Sequence, residues 1–165
     1  MKLIFSKQSK KPALKNRRLL MKAAHQALMM SRLTDTLPAE TADHGLLNVV
    51  VVDGATMADL NESHLGHSGP TDVLTFDLRG EGPPVDHTEW VVAEVYVCLD
   101  VAVRAAVTYT TSVGYEVLLY AAHGMLHLAG EDDRNDRDRR RMRSAERRIM
   151  TCLQAAWPLE ELFGY

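Results

Sequence analysis

The segment that most narrows the fold is Gly45 to Val52, because it ends in four consecutive valines, Val49, Val50, Val51 and Val52. β-Branched side chains are restricted at χ1 and favour extended backbone. Successive side chains of a strand point to opposite faces, so an unbroken valine run is apolar on both sides. Such a strand needs cover on each face, as inside a sheet packed between helices. The flanking segments supply it. Residues 2–5 read as a first strand, and Leu19, Leu20, Ala23, Ala24, Ala27 and Leu28 recur at helical spacing within 14–30. Residues 34–44 are polar, contain Pro38 and read as a connection. Asp53-Gly54 turns the chain, and Thr56 is placed to cap a helix reaching about His64. Strands follow at 73–77 and 90–99, separated by a glycine- and proline-rich excursion over 79–89. Asp100 is placed to cap a helix continuing over 102–110, and further helices are expected at 115–129 and 137–153. This order gives an α/β (α+β-like) fold, one sheet covered by helices, in a single domain over residues 1–165.

Charge is distributed unevenly. The net charge is −3, yet eight of the 19 Lys and Arg residues lie in the first 22 positions and eight more between Arg134 and Arg148. Brought together, two basic ends would form a surface for a polyanion; kept apart, they are solvated helix faces. No apolar run approaches the roughly 20 residues of a membrane span. The opening run Leu3-Ile4-Phe5 stops at Ser6, too short for a signal-peptide core, so a cytoplasmic protein without membrane association is expected. Cys98 and Cys152 are far apart in apolar surroundings and read as reduced, buried residues.

The chemistry is concentrated in His123-Gly-Met-Leu-His127-Leu-Ala-Gly130-Glu-Asp-Asp133. Histidines four apart rise from one helix face, one turn above the other. Gly130 can take the left-handed conformation that turns the chain back, and Asp133 follows where a returning loop presents a third, oxygen ligand. Two imidazoles and a carboxylate leave a fourth position open, as in a catalytic metal site. Asp132 is the neighbouring alternative, but one residue reverses direction on a tight turn. The spacing His-x-x-x-His-x-x-Gly-x-x-Asp resembles the metzincin peptidase motif, which needs Glu after the first histidine as general base. Gly124 stands there and cannot take a proton from water.

Asn61, Pro70-Thr71-Asp72-Val73-Leu74-Thr75-Phe76, Ala93-Glu94-Val95, Glu116, His123-Gly124-x-Leu126-His127-Leu128-x-Gly130-x-Asp132, Met142 and Glu146 occur in that order. Together they resemble the YbeY family of single-strand-specific endoribonucleases, over most of residues 45 to 150. The resemblance implies a small mixed sheet with surrounding helices and one zinc ion, manganese or iron being the alternatives. It further implies hydrolysis of single-stranded RNA, not DNA, in maturation of small-subunit ribosomal RNA and ribosome quality control. The implied partners are rRNA precursors and the small ribosomal subunit or its assembly proteins. His123, His127 and Asp133 are the expected metal ligands, with Gly124 and Gly130 as turn glycines. Thr71 and Asp72 are candidates to orient substrate or water, and His67 is a candidate to donate to a phosphate or shuttle a proton. Arg137, Arg140, Arg141 and His64 are candidates for substrate contact, the arginines as part of a basic helix. Glu94 and Glu116 are candidate acceptors behind the metal ligands, and Tyr96, Tyr109, Tyr115 and Tyr120 either stack bases or form core and cleft walls.

Two departures from the family pattern matter. Asp133 stands where the family has its third histidine, which lowers the metal's effective charge. Leu65 stands where the family usually has an arginine held to be important for nuclease activity, and leucine cannot contact a phosphate. The second departure supports a rival reading, a ribosome-associated assembly factor with a mainly structural metal.

Overall fold

The valine run lies inside a sheet, as its two apolar faces require. In the computed structural model, which describes residues 1–81 and 89–164, the strands are β1 (Lys2–Lys7), β2 (Ala13–Leu14), β3 (Gly45–Val52), β4 (Val73–Asp77), β5 (Trp90–Cys98) and β6 (Phe163–Gly164). The helices are α1 (Arg17–Ser31), α2 (Ala39–His44), α3 (Gly54–Leu65), α4 (Leu99–Tyr109), α5 (Val113–Leu128) and α6 (Asp136–Ala156). Among the described residues the main sheet has the order β1-β3-β5-β4. β1, β3 and β5 run parallel and β4 is antiparallel to β5, so the sheet is mixed. Gly82, Pro83 and Pro84 of the expected excursion lie outside the described residues.

The two faces of β3 are covered differently. Leu47, Val49 and Val51 join Phe5, Val95 and Val97 in the main core, packed with α1 and α5. Val50 and Val52 point the other way and meet Leu74, Cys98 and Met57 of α3. α5 is the central helix, touching β4, β5, α1, α4 and α6. Its Leu118 and Met125 are 0% exposed, and each such side chain contributes about 1.5–3 kcal/mol by leaving water. That burial makes α5 a rigid mount for His123 and His127.

Several ends differ from expectation for local reasons. α1 begins at Arg17, with Asn16 accepting from the Leu19 amide (3.0 Å), because Ala13 and Leu14 pair with β6 and Lys15 N–H donates to the Leu162 carbonyl (2.8 Å). Residues 34–44 are not a plain connection, since Leu33–Thr36 forms a 3₁₀ turn and Ala39–His44 a short helix. Asp53, not Thr56, caps α3, accepting from the Thr56 amide (2.9 Å). Asp100 does not cap α4; it lies in that helix's first turn and accepts from the Gly54 amide (2.6 Å), serving the start of α3. Cys98 is buried as expected, whereas Cys152 is exposed on α6; both are free thiols. Among the described residues no helix is long and apolar enough to cross a membrane.

Candidate metal centre

The carboxyl end of α5 builds the site. Gly130 has φ +98°, its amide donates to the His127 carbonyl (2.9 Å), and the Glu131 amide donates to the Leu126 carbonyl (3.0 Å). These two bonds are the Schellman pattern that closes a helix through a left-handed glycine. The turn brings the Glu131 carbonyl to within 3.0 Å of His127 Nδ1. A carbonyl only accepts, so Nδ1 carries the proton and Nε2 presents its lone pair. Arg79 secures the same end from the sheet side: its guanidinium pairs with Asp77 and donates to the Leu128 carbonyl (3.1 Å).

His123 is fixed in the same way from the opposite direction. Its Nδ1 lies 2.5 Å from Glu146 Oε1, which α6 supplies across the helix interface. An ionised carboxylate only accepts, so Nδ1 carries a proton here too, and in the neutral ring Nε2 holds the lone pair. The two Nε2 atoms face each other at 2.9 Å, and Asp133 Oδ2 is 3.9 Å from each. Two lone pairs at that separation repel unless a proton or a metal ion joins them. A tetrahedral zinc site, with bonds of about 2.0–2.2 Å, sets neighbouring ligands roughly 3.3 Å apart. The observed separations bracket that value, so His123, His127 and Asp133 fit a single metal ion. Among the described residues no fourth His, Cys, Asp or Glu joins the cluster, which leaves a position open. Asp132 turns away, accepting from the Asp133 amide (2.8 Å) and pairing with Arg134 (3.5 Å).

Burial opposes a charge on His123, but the Glu146 carboxylate, aided by Asp72 and Asp133, more than offsets it and raises the ring's pKa above the ordinary histidine value. Replacing Glu146 removes the group that holds this tautomer. Glu146→Ala is expected to weaken metal binding by about 10–100-fold, read by competition against a chelator, with Glu146→Gln retaining an acceptor and losing less. Equal affinity in all three proteins would remove Glu146 from the site.

Two clefts open from the cluster. One, of about 580 Å³, lies between α4, α5 and α6 and is bordered by Asp72, Tyr109, Tyr115, Tyr120, His123, Asp133, Arg139, Arg143 and Glu146. The other, of about 350 Å³, is bordered by His64, Leu65, Asp72, Phe76, His123 and His127. Asp72 and His123 border both. Asp72 is held in place: its Oδ1 accepts from Thr71 Oγ1 (3.0 Å) and the Val73 amide (2.9 Å), and its carbonyl accepts from the Cys98 amide (2.8 Å). Buried Asn61 donates to the Gly69 carbonyl (2.8 Å), tying the glycine-rich loop to α3.

The remaining expected residues divide. His64 packs edge-on against Phe76 with ring centroids 4.8 Å apart. His67 is exposed and borders neither cleft, and the same holds for Arg137, Arg140 and Arg141, the last paired with Glu131 (3.5 Å). Arg139 and Arg143 are the arginines that face the site. Glu94 bonds Asn48 and Tyr96, and Glu116 is buried in the first turn of α5, accepting from Thr111 (2.5 Å). Gly124 is not at a turn; it lies within α5 against Val95 and Thr75. The roles of Glu146 and Arg79 escaped sequence reasoning because helix packing and strand ends create them. One signal for Glu146 was available: Met142, four residues earlier on α6, is an apolar residue that marks the inward face.

A rigid helix pair of imidazoles, a returning carboxylate and an open position define a metal-dependent hydrolase. A family model described as "Endoribonuclease YbeY" matches residues 5–154. The endoribonuclease YbeY of Salinibacter ruber is 38% identical over 113 residues, covering 67% of this chain and 71% of that protein. That of Elusimicrobium minutum is 37% identical over 111 residues, covering 64% and 73%. The solution structure of TM1509 from Thermotoga maritima matches with a TM-score of 0.60 at 25% identity, covering 96% of this chain and 95% of that one. The chain belongs to the YbeY endoribonuclease family.

Proposed function

We propose that this protein is a zinc-dependent endoribonuclease that hydrolyses single-stranded RNA in the maturation of small-subunit ribosomal RNA, working in the cytoplasm with the small subunit or its assembly proteins. The observation that carries the reading is the approach of the His123 and His127 Nε2 atoms to 2.9 Å, with Asp133 Oδ2 3.9 Å from each. His123, His127 and Asp133 hold the metal. When bound, zinc supplies Lewis acidity toward a phosphate oxygen and lowers the pKa of water. Two nitrogens and one oxygen suit zinc, and the carboxylate also suits manganese or iron.

The chain's own residues do the rest. Glu146 and the Glu131 carbonyl keep the proton on Nδ1 of each ring, so Nε2 stays available. Asp72, fixed at the junction of both clefts, orients water or a ribose hydroxyl, with Thr71 holding its carboxylate. His64 faces the strand from the smaller cleft. The basic face of α6, Arg137, Arg140 and Arg141 included, attracts the RNA backbone, with Arg139 and Arg143 nearest the chemistry.

The test is elemental analysis of the purified protein beside cleavage of a single-stranded RNA. About one metal per chain and cleavage lost on chelation are expected. Bound metal without cleavage would favour the assembly factor, the reading Leu65 supports. Leu65 is 56% exposed and borders the smaller cleft with His64, His123 and His127, so an arginine at this position would add a cation to that cleft. Leu65→Arg is therefore expected to raise cleavage and to steepen the salt dependence of RNA binding by about 0.7 in log–log slope. An unchanged slope would show that position 65 does not meet the backbone.

A further inference from the structure

The larger cleft is more elaborate than a metal site needs. Tyr115 and Tyr120 are half-buried, each packed against the core while bordering the cleft. Tyr109, the last residue of α4, stands at the same cleft 71% exposed. An aromatic ring left in water at a cleft mouth is an unspent stacking surface, because folding gains little from it. Arg143 faces the cleft from α6 and forms no ion pair among the described residues, unlike Arg139, which pairs with Asp136. The cleft shares His123 and Asp133 with the metal cluster, so its occupant is continuous with whatever sits at the metal. At about 580 Å³ it falls within the range of small-ligand sites, about 300–1,000 Å³.

Aromatic faces, a guanidinium without an ion pair among the described residues and continuity with a phosphodiester-cleaving centre match the parts of a single-stranded nucleic-acid site. We propose that the cleft between α4, α5 and α6 is a subsite for one unpaired nucleotide next to the scissile phosphate, its base stacked on tyrosine and its backbone met by Arg143. This rests on the reading of the protein as a nuclease for single-stranded RNA. The subsite explains a preference for unpaired RNA in physical terms: a base still stacked in a helix cannot enter the cleft while its phosphate lies at the metal. It also identifies Tyr109 as a binding residue in place of a stray exposed aromatic.

The test uses the full chain stripped of metal by a chelator, so that binding is read without cleavage. The probe is a short single-stranded RNA carrying 2-aminopurine, compared with the same strand made abasic at those positions. Wild-type protein is expected to bind the base-containing strand and quench its fluorescence. Tyr109→Ala, whose exposed ring makes misfolding a minor concern, is expected to bind it at least about fivefold more weakly and to match wild type on the abasic strand. Arg143→Ala is expected to lower the salt slope by about 0.7. Undiminished affinity and quenching in Tyr109→Ala, equal loss on both strands, or an unchanged slope in Arg143→Ala would each overturn the subsite and leave the nuclease reading standing. A wild-type protein that binds neither strand and, loaded with metal, cleaves no single-stranded RNA would bring down both.

Discussion

His127→Ala is expected to lose its metal and its cleavage of RNA together, while unfolding at nearly the same denaturant concentration as wild type. The ring has an exposed side, 29% of its side chain, so truncation opens a water-filled notch and not a dry cavity. Besides the Nε2 contact with His123, the internal bond lost is Nδ1 to the Glu131 carbonyl, worth about 1 kcal/mol. The Schellman closure that shapes the turn uses backbone groups only and survives. What disappears is one of the three atoms around the metal position, which leaves His123 and Asp133 facing each other at 3.9 Å. Two ligands do not retain a divalent ion against water and chelator, so metal content should fall to background. Cleavage should fall on the order of a thousandfold, about 4 kcal/mol of barrier. Asp133→Ala should behave alike, with metal content as the shared readout. Full metal content and undiminished cleavage in His127→Ala would sink the assignment.

The valine run, the helix-borne histidines and the closing glycine were legible because each rests on a local rule. A strand apolar on both faces must be sandwiched, histidines four apart must share a helix face, and a glycine after a helix closes it. Asp133 was legible as well, since alternation on the turn set it apart from Asp132. What stayed hidden depends on partners distant in sequence. Asp100 reads as a cap for the helix it begins, yet it serves Gly54 because the start of α3 lies beside that of α4. β2 and β6 are two residues each, too short to show a period, and they pair only because the fold brings together two segments distant in sequence. Likewise the arginines of α6 spread around a helix in sequence, and only packing against α5 decides that Arg139 and Arg143 face the cleft. Gly124 was misread for a related reason: a glycine inside an apolar helix carries no local sign of what presses against it.

That pressure makes Gly124 the position where a small change should cost the most stability. A Cβ there would lie 2.8 Å from Val95 Cγ1, 2.9 Å from Thr75 Cγ2 and 3.3 Å from Val95 Cγ2. Both neighbours are β-branched strand residues, stiff at χ1, and both methyls of Val95 already press on the position, so neither side chain rotates clear cheaply. Relief therefore requires α5 to lift off β4 and β5. Gly124→Ala recovers about 1 kcal/mol of helix propensity against an overpacking cost of about 1–3 kcal/mol, and a modest net destabilisation is expected. Gly124→Val recovers less propensity and adds two further methyls, so a loss of about 3 kcal/mol or more is expected. Denaturant midpoints should fall in the order wild type, Ala, Val. Metal affinity should fall in the same order, because lifting α5 shifts His123 and His127 against Asp133 and against Glu146 on α6. The glycine that removes the general base of a peptidase thus has its own physical reason: it lets the metal-bearing helix sit on the sheet. Midpoints unchanged across the series would mean that α5 and the sheet do not approach as closely as the structure places them.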